Sequence, residues 1–178
     1  MNIFCAQNQS AYTQINCGID QAGIVAVGFI DEHAYSTTPT KVNLESVGFY
    51  TNLLNSSPPT LFVATKTRGE YPGGTPTEED GFGKESTQIT GAKHEATIEF
   101  EGVEENRNFV EGINSKKWKL VFVLNGGKGV YVDTPATAYG KLVVPRGITT
   151  GAFWQMKISW QDFANPQTFD APTSVFAE

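Results

Sequence analysis

The chain is poor in the residues that support metal binding, catalysis or nucleic-acid binding. It has two cysteines, two histidines and 13 lysines and arginines against 19 acids, and its formal net charge is -6. Attraction to nucleic acid or to an anionic membrane depends on Lys and Arg, so neither is indicated. Cys5 and Cys17 have no third cysteine nearby, which argues against a zinc site. We interpret them as reduced, buried thiols, with a disulfide as the alternative.

Long apolar runs are also missing. The clearest run, AGIVAVGFI at residues 22–30, has nine residues, about half of what a membrane-spanning helix requires. The first basic residue is Lys41, so no positively charged segment precedes this run. We therefore expect neither a secretory signal nor a membrane span.

What the chain does contain favours β structure. It has 18 glycines, nine prolines and 12% aromatic residues, together with many Val, Ile and Thr. We predict a mainly β fold of one domain, residues 1–178, with about seven to nine strands. The expected architecture is an antiparallel β-sandwich or barrel with one short flanking helix, within residues 103–114, and a long extended loop. Residues 1–21 are predicted to be an arm and 164–178 an irregular tail, while residues 42–60 fit either a strand or a short helix.

Two strands alternate clearly between apolar and polar side chains. In the first, the apolar face has Ala96, Ile98 and Phe100, and the polar face has Glu95, Thr97, Glu99 and Glu101. In the second, the apolar face has Trp154, Met156, Ile158 and Trp160, and the polar face has Gln155, Lys157, Ser159 and Gln161. Both apolar faces are predicted to lie in the core.

Residues 67–90 form the predicted long loop, and its first part reads TRGEYPGGTPTEEDGFGK. A compact domain rarely has so long a connection without a use for it. A phosphate-binding loop is excluded because Glu78 and Glu85 stand where Gly and Ser or Thr are required. The acidic run also lacks the ligand spacing of a calcium loop. We expect no metal, no cofactor and no catalytic residue, although Glu99 and Glu101 could be a glycosidase-like carboxylate pair.

A contact between subunits is a use that suits this loop. Its apolar residues Tyr71, Pro72 and Phe82 would be anchors that an intersubunit contact buries. Its acidic residues Glu78, Glu79 and Asp80 would meet basic residues of a neighbouring subunit. A mobile surface loop is the alternative.

Four segments resemble tail tube proteins of long-tailed bacteriophages of the Bacteroidetes type. They are INCGIDQAGIVAVGFI, TKTRGEYPGGTPTEEDGFGKESTQITGAKHEATIEF, NRNFVEGINSKKWKLVFVLNGG and FWQMKISWQDFANP. The resemblance implies a non-enzymatic virion protein that is assembled in the bacterial cytoplasm. It also implies six copies in a ring, rings stacked into a tube that contacts other tail proteins, and DNA that passes without specific binding.

The resemblance gives the polar strand faces a role. Glu95, Thr97, Glu99 and Glu101 would line the lumen and repel DNA phosphates, and the polar face of residues 155–161 is a rival lining. Three alternatives stay open. They are another virion component (tail terminator, baseplate or capsid decoration protein), a carbohydrate-binding module that stacks sugar on Trp118, Trp154 or Trp160, and a small hydrolase that uses Glu99 and Glu101.

Overall fold

A computed structural model describes residues 23–81, 87–147 and 151–176 of the chain. The predicted N-terminal segment at residues 1–21 and the predicted anchor Phe82 lie outside the described residues. The described residues form nine strands, all paired antiparallel, and four helices. The strands are β1 (Ile24–Asp31), β2 (Leu61–Ala64), β3 (Arg68–Glu70), β4 (Gly74–Asp80), β5 (Thr87–Phe100), β6 (Lys117–Leu124), β7 (Lys128–Val143), β8 (Phe153–Gln161) and β9 (Gln167–Asp170). The helices are α1 (Lys41–Leu44), α2 (Val47–Leu54), α3 (Arg107–Asn114) and α4 (Thr173–Phe176).

The strand pairings close into a ring. The sheet order is β2-β1-β3-β5-β8-β7-β6, and β6 pairs in turn with β1. A common interior is therefore surrounded by β1, β3, β5, β8, β7 and β6. Strand β2, which precedes β3 in the chain, also pairs with β1. Closure gives most of the strands a partner on both edges. The predicted antiparallel, mainly β fold is confirmed.

The interior of the ring contains the larger apolar cluster. Both predicted apolar faces lie there, since Ile98, Met156 and Ile158 are completely buried and Trp154 is only 8% exposed. Helix α3 packs Val110 and Ile113 against the same cluster. This helix is the one predicted, and it begins at Arg107 rather than near residue 103.

A second apolar cluster covers the outer side of β1 and β6. Helices α1, α2 and α4 and strand β9 contribute to it, through residues that include Tyr50, Phe169 and Phe176. Residues 42–60 are thus mainly helical, and the fold has more helices than the single one predicted. The prediction of an irregular tail at 164–178 is wrong for β9 and α4, because Phe169 and Phe176 pack into this cluster and order the chain.

The segment predicted to be a loop at residues 67–90 contains β3, β4 and the start of β5. Strand β4 pairs with β5 from Gly74 opposite His94 to Asp80 opposite Thr87, with an irregularity after Thr77. Strand β8 pairs with β5 only from Lys93 onward. In the part of the chain that the structure describes, the outer half of β5 therefore has β4 as its only strand partner. We call residues 74–80 and 87–93 the arm.

Candidate assembly surface

The arm is joined to the barrel by three stacked rings. His94 is 1% exposed and lies parallel to Trp160, with ring centroids 5.2 Å apart and an interplanar angle of 4°. Tyr71 stacks on both rings, at 5.4 Å from Trp160 and 6.0 Å from His94. The register brings them together, because His94 is opposite Trp160 in β8 and opposite Gly74 in β4. We call Tyr71, His94 and Trp160 the root of the arm.

Hydrogen bonds at the root define the state of the histidine. The Nε2 atom of His94 lies 3.1 Å from the carbonyl oxygen of Asp162, and Nδ1 lies 2.6 Å from the hydroxyl of Tyr71. A carbonyl only accepts, so Nε2 donates to it and Nδ1 of the neutral ring accepts from Tyr71. Burial raises the pKa of Tyr71, which keeps its hydroxyl protonated and able to donate.

Beyond the root, the arm buries little. Every residue of β4 is exposed, and Ile89 on β5 is 56% exposed. The predicted contact residues Glu78, Glu79 and Asp80 lie on this outer strand, and Pro72 is exposed just before it. Pro76 and three acids on one strand hinder the addition of a further strand at its free edge. Side-chain contacts with a basic surface are the interaction that this arm suits best.

The predicted anchor Tyr71 is partly buried within its own chain. It packs against the core cluster through Trp160. The β3–β4 connection turns inward at Tyr71, because the Tyr71 ring stacks on Trp160 and the Tyr71 hydroxyl bonds to His94. Within the predicted loop, strand β4 of the arm is exposed along its whole length.

The two predicted polar faces form one continuous surface on β5, β8 and β7. Register places Glu95 beside Ser159, Thr97 beside Lys157 and Glu99 beside Gln155. On the next strand, these rows continue with Thr137, Tyr139 and Lys141. Residues directly opposite in paired strands point to the same side of a sheet. The two linings considered as rivals are therefore neighbours on a single polar face.

Charges of both signs occupy this face. Glu95 is flanked by Lys93 at 2.8 Å and Lys157 at 3.1 Å, and these two lysines hold its pKa below the usual value. Gln155 donates to Glu99 over 3.1 Å. Glu101 lies just beyond the end of β5 and is exposed. The strand that looks acidic in sequence is thus partly neutralised by lysines from its own and the neighbouring strand.

A second polar network joins β6, β7 and the segment after β1, and the sequence patterns did not predict it. Tyr131 donates to Asp133 over 2.7 Å and also contacts the hydroxyl of Tyr35, while Thr38 donates to Asp133 over 2.8 Å. Lys119 completes it, 3.2 Å from Asp133 and 4.5 Å from the centroid of the Tyr35 ring. Burial is the largest influence on the Asp133 carboxyl and acts to raise its pKa, but the hydrogen bonds and Lys119 outweigh it, so the pKa is lowered. The network attaches residues 35–38 to β6 and β7.

The described residues give little support to a sugar-stacking surface, a catalytic carboxylate pair or a metal site. Trp118, Trp154 and Trp160 are at most 8% exposed, so the rings proposed for sugar stacking lie in the core. Glu99 is bound by Gln155, and Glu101 lies outside the strand that holds Glu99. Within residues 23–81, 87–147 and 151–176, no group of three or more His, Cys, Asp or Glu is placed to hold a metal ion.

Comparisons with known proteins identify no family for the chain. No protein-family model, no curated protein and no solved structure matches it. Among the described residues, the longest helices have eight residues, and none is long and apolar enough to cross a membrane. The candidate assembly surface is therefore assigned from geometry and charge alone.

Proposed function

We propose that the protein is a non-enzymatic structural subunit that assembles with copies of itself into stacked rings, forming the tail tube of a long-tailed bacteriophage. The tube is the conduit for DNA delivery, and the subunit resides in the virion. The resemblance of the four sequence segments supplies the family in this proposal. The feature of the fold that supports it best is the arm.

The arm supports the proposal because the barrel does not use it. The barrel closes on itself and fills its own interior, whereas all seven residues of β4 remain exposed. A two-stranded hairpin is marginal in water by itself, and natural proteins commonly use such extensions to reach a partner. A second copy of the chain is the partner proposed here.

The polar face suits a surface along which DNA moves without being held. Lys93 and Lys157 both pair with Glu95, so their positive charge is partly neutralised and is less available for phosphate binding. We propose that this face, with Glu95, Thr97 and Glu99, lines the tube. Its mixed charge makes the proposed repulsion of DNA weaker than an all-acidic lining would give.

Negative-stain electron microscopy of the purified chain tests the assembly. The proposal predicts rings or tubes of uniform diameter, and sedimentation at rising protein concentration should show a large species. A protein that stays monomeric at high concentration under several salt conditions would contradict it. A bound small ligand without assembly would instead favour a binding module.

A further inference from the structure

The root of the arm contains the only described histidine that is buried. The other one, His33, has a side chain that is 86% exposed. His94 is enclosed on one side by Trp160 of the core and on the other by the start of the arm. A Cβ atom added to Gly74 would clash with Cε1 of His94, which shows how closely the β4 backbone covers the ring.

The neutral form of this ring fits its surroundings. Its two nitrogens have one acceptor, the Asp162 carbonyl, and one donor, the Tyr71 hydroxyl. A proton added at Nδ1 removes the acceptor that Tyr71 uses and places a charge in a site closed to water. Burial of a charge is costly, so the protonated ring favours conformations in which it reaches solvent.

The charged groups around the ring decide which side opens. Asp162, after β8, has a carboxylate bound by Thr134 and by the Ala164 backbone, and this carboxylate attracts an imidazolium. On β5, Lys93 and Glu95 pair with each other on the opposite face of the strand. On the side of the arm, the Tyr71 hydroxyl bonds to the ring and the backbone of Gly74 covers it. The protonated ring therefore stays with β8 and loses its cover of Tyr71 and β4.

We propose that His94 and Tyr71 form a proton-sensitive latch, which orders the arm when the ring is neutral and releases it on acidification. Histidine is the side chain whose charge ordinarily changes between pH 5 and 8, so the test below spans that range. Its consequence for assembly rests on the proposed function. The latch itself is a property of the single subunit and is measured without assembly.

Hydrogen exchange on the dilute subunit tests the latch. Protection of amides in residues 74–80 and 87–93, corrected for intrinsic exchange rates, is expected to fall at least about fivefold between pH 7.5 and pH 5. That factor corresponds to the loss of one typical hydrogen bond. Amides of β1 and β6 are the internal reference and should keep their protection. Unchanged arm protection in the wild-type protein would overturn the proposal.

Variants separate the latch from ordinary packing. Tyr71→Phe keeps the ring stack but removes the hydroxyl, so at pH 7.5 its arm should exchange about fivefold faster, and its further change on acidification should be smaller than that of the wild-type protein. His94→Phe should remove the pH dependence, and the matched control His33→Gln should retain it. Retained pH dependence in His94→Phe would contradict the latch. If His94→Phe does not fold, arm exchange in Tyr71→Phe and in the wild-type protein tests the latch.

The tautomer gives an independent spectroscopic check. Nitrogen-15 spectra of the imidazoles at neutral pH should show His94 protonated at Nε2 and unprotonated at Nδ1, with His33 as the exposed reference. Protonation at Nδ1 in the neutral ring would overturn the assignment of the Tyr71 bond. Wild-type arm exchange that changes with pH while the protein never forms rings would support the latch and contradict only the proposed function.

Discussion

The two halves of β5 have opposite environments within one strand. Ile98 lies in the barrel and is completely buried, whereas Ile89 lies in the arm and is 56% exposed. The inner half is paired on both edges, with β3 and β8, and the outer half pairs with β4. One half of the strand therefore stabilises the fold, and the other extends a surface that the fold does not need.

This contrast explains how an exposed hairpin can keep a defined direction. The arm has backbone hydrogen bonds but almost no apolar burial, and such a hairpin is marginally stable alone. Its order depends on continuity with the barrel half of β5 and on the root, where Tyr71, His94 and Trp160 stack. The predictions below compare equivalent changes in the two regions, from the largest expected effect on stability to the smallest.

The same substitution at two isoleucines of β5 should give the largest contrast. Ile98→Ala removes buried apolar contacts and leaves a cavity, and it should lower the free energy of unfolding by about 2–5 kcal/mol. Ile89→Ala should change it by no more than ~0.5 kcal/mol. Urea unfolding followed by tryptophan fluorescence measures both. Similar losses at the two positions would show that the arm is part of the cooperative core.

Two glycines offer a second matched pair. A Cβ atom on Gly69 in β3 would lie 2.7 Å from both the Ile98 side chain and the Thr97 carbonyl oxygen, whereas one on Gly91 would meet nothing within 4 Å. Gly69→Ala should therefore destabilise the protein by about 1–3 kcal/mol through overpacking. Gly91→Ala should be neutral or stabilise it slightly, because it reduces the entropy of the unfolded chain. Thermal unfolding in which Gly69→Ala is harmless would contradict the close approach of β3 and β5.

The Asp133 network gives a pH-dependent effect on the barrel. The native pKa of Asp133 is lowered, so its contribution to stability is present above the ordinary aspartate pKa of about 3.9 and is lost as pH falls through the lower native value. Since Asp133 is partly exposed, Asp133→Asn should cost less than ~1 kcal/mol at pH 6. The difference from the wild-type protein should disappear near the acid end of a urea series. An equal difference at all pH values would contradict the pKa shift.

Neutralising the acids of the arm should leave stability unchanged. Glu78→Gln, Glu79→Gln and Asp80→Asn together should weaken assembly at low salt, because these exposed acids are proposed to contact basic residues of a neighbour. The matched control removes three exposed acids near α3, at Glu104, Glu105 and Glu111. Sedimentation at low and high salt measures the effect. Equal behaviour of both triple variants would show that the arm charges are not the contact.

Sequence patterns were sufficient where one strand face is buried. The alternation in residues 153–161 predicted which side chains enter the core, and Trp154, Met156, Ile158 and Trp160 are all buried. The apolar stripe of residues 109–113 likewise predicted α3. These elements are determined by local periodicity, which needs no knowledge of partners.

Features that depend on partners distant in the chain were not predicted. Glycines and prolines in residues 67–84 favoured a loop, but pairing with β5 makes part of it a strand. Lys157 on β8, which partly neutralises Glu95, is distant from it in sequence. The mixed charge of the polar face therefore follows only from the strand register.

The most direct measurement replaces the arm and leaves its root intact. Thr75 and Lys93 are directly opposite in the hairpin, so residues 76–92 can be replaced by Asn-Gly, the preferred two-residue turn. This variant keeps Tyr71, Gly74 and His94. Microscopy and sedimentation should show a folded monomer that forms no rings or tubes, with an unfolding midpoint close to that of the wild-type protein. Normal tubes from the shortened protein would contradict the proposed role of the arm.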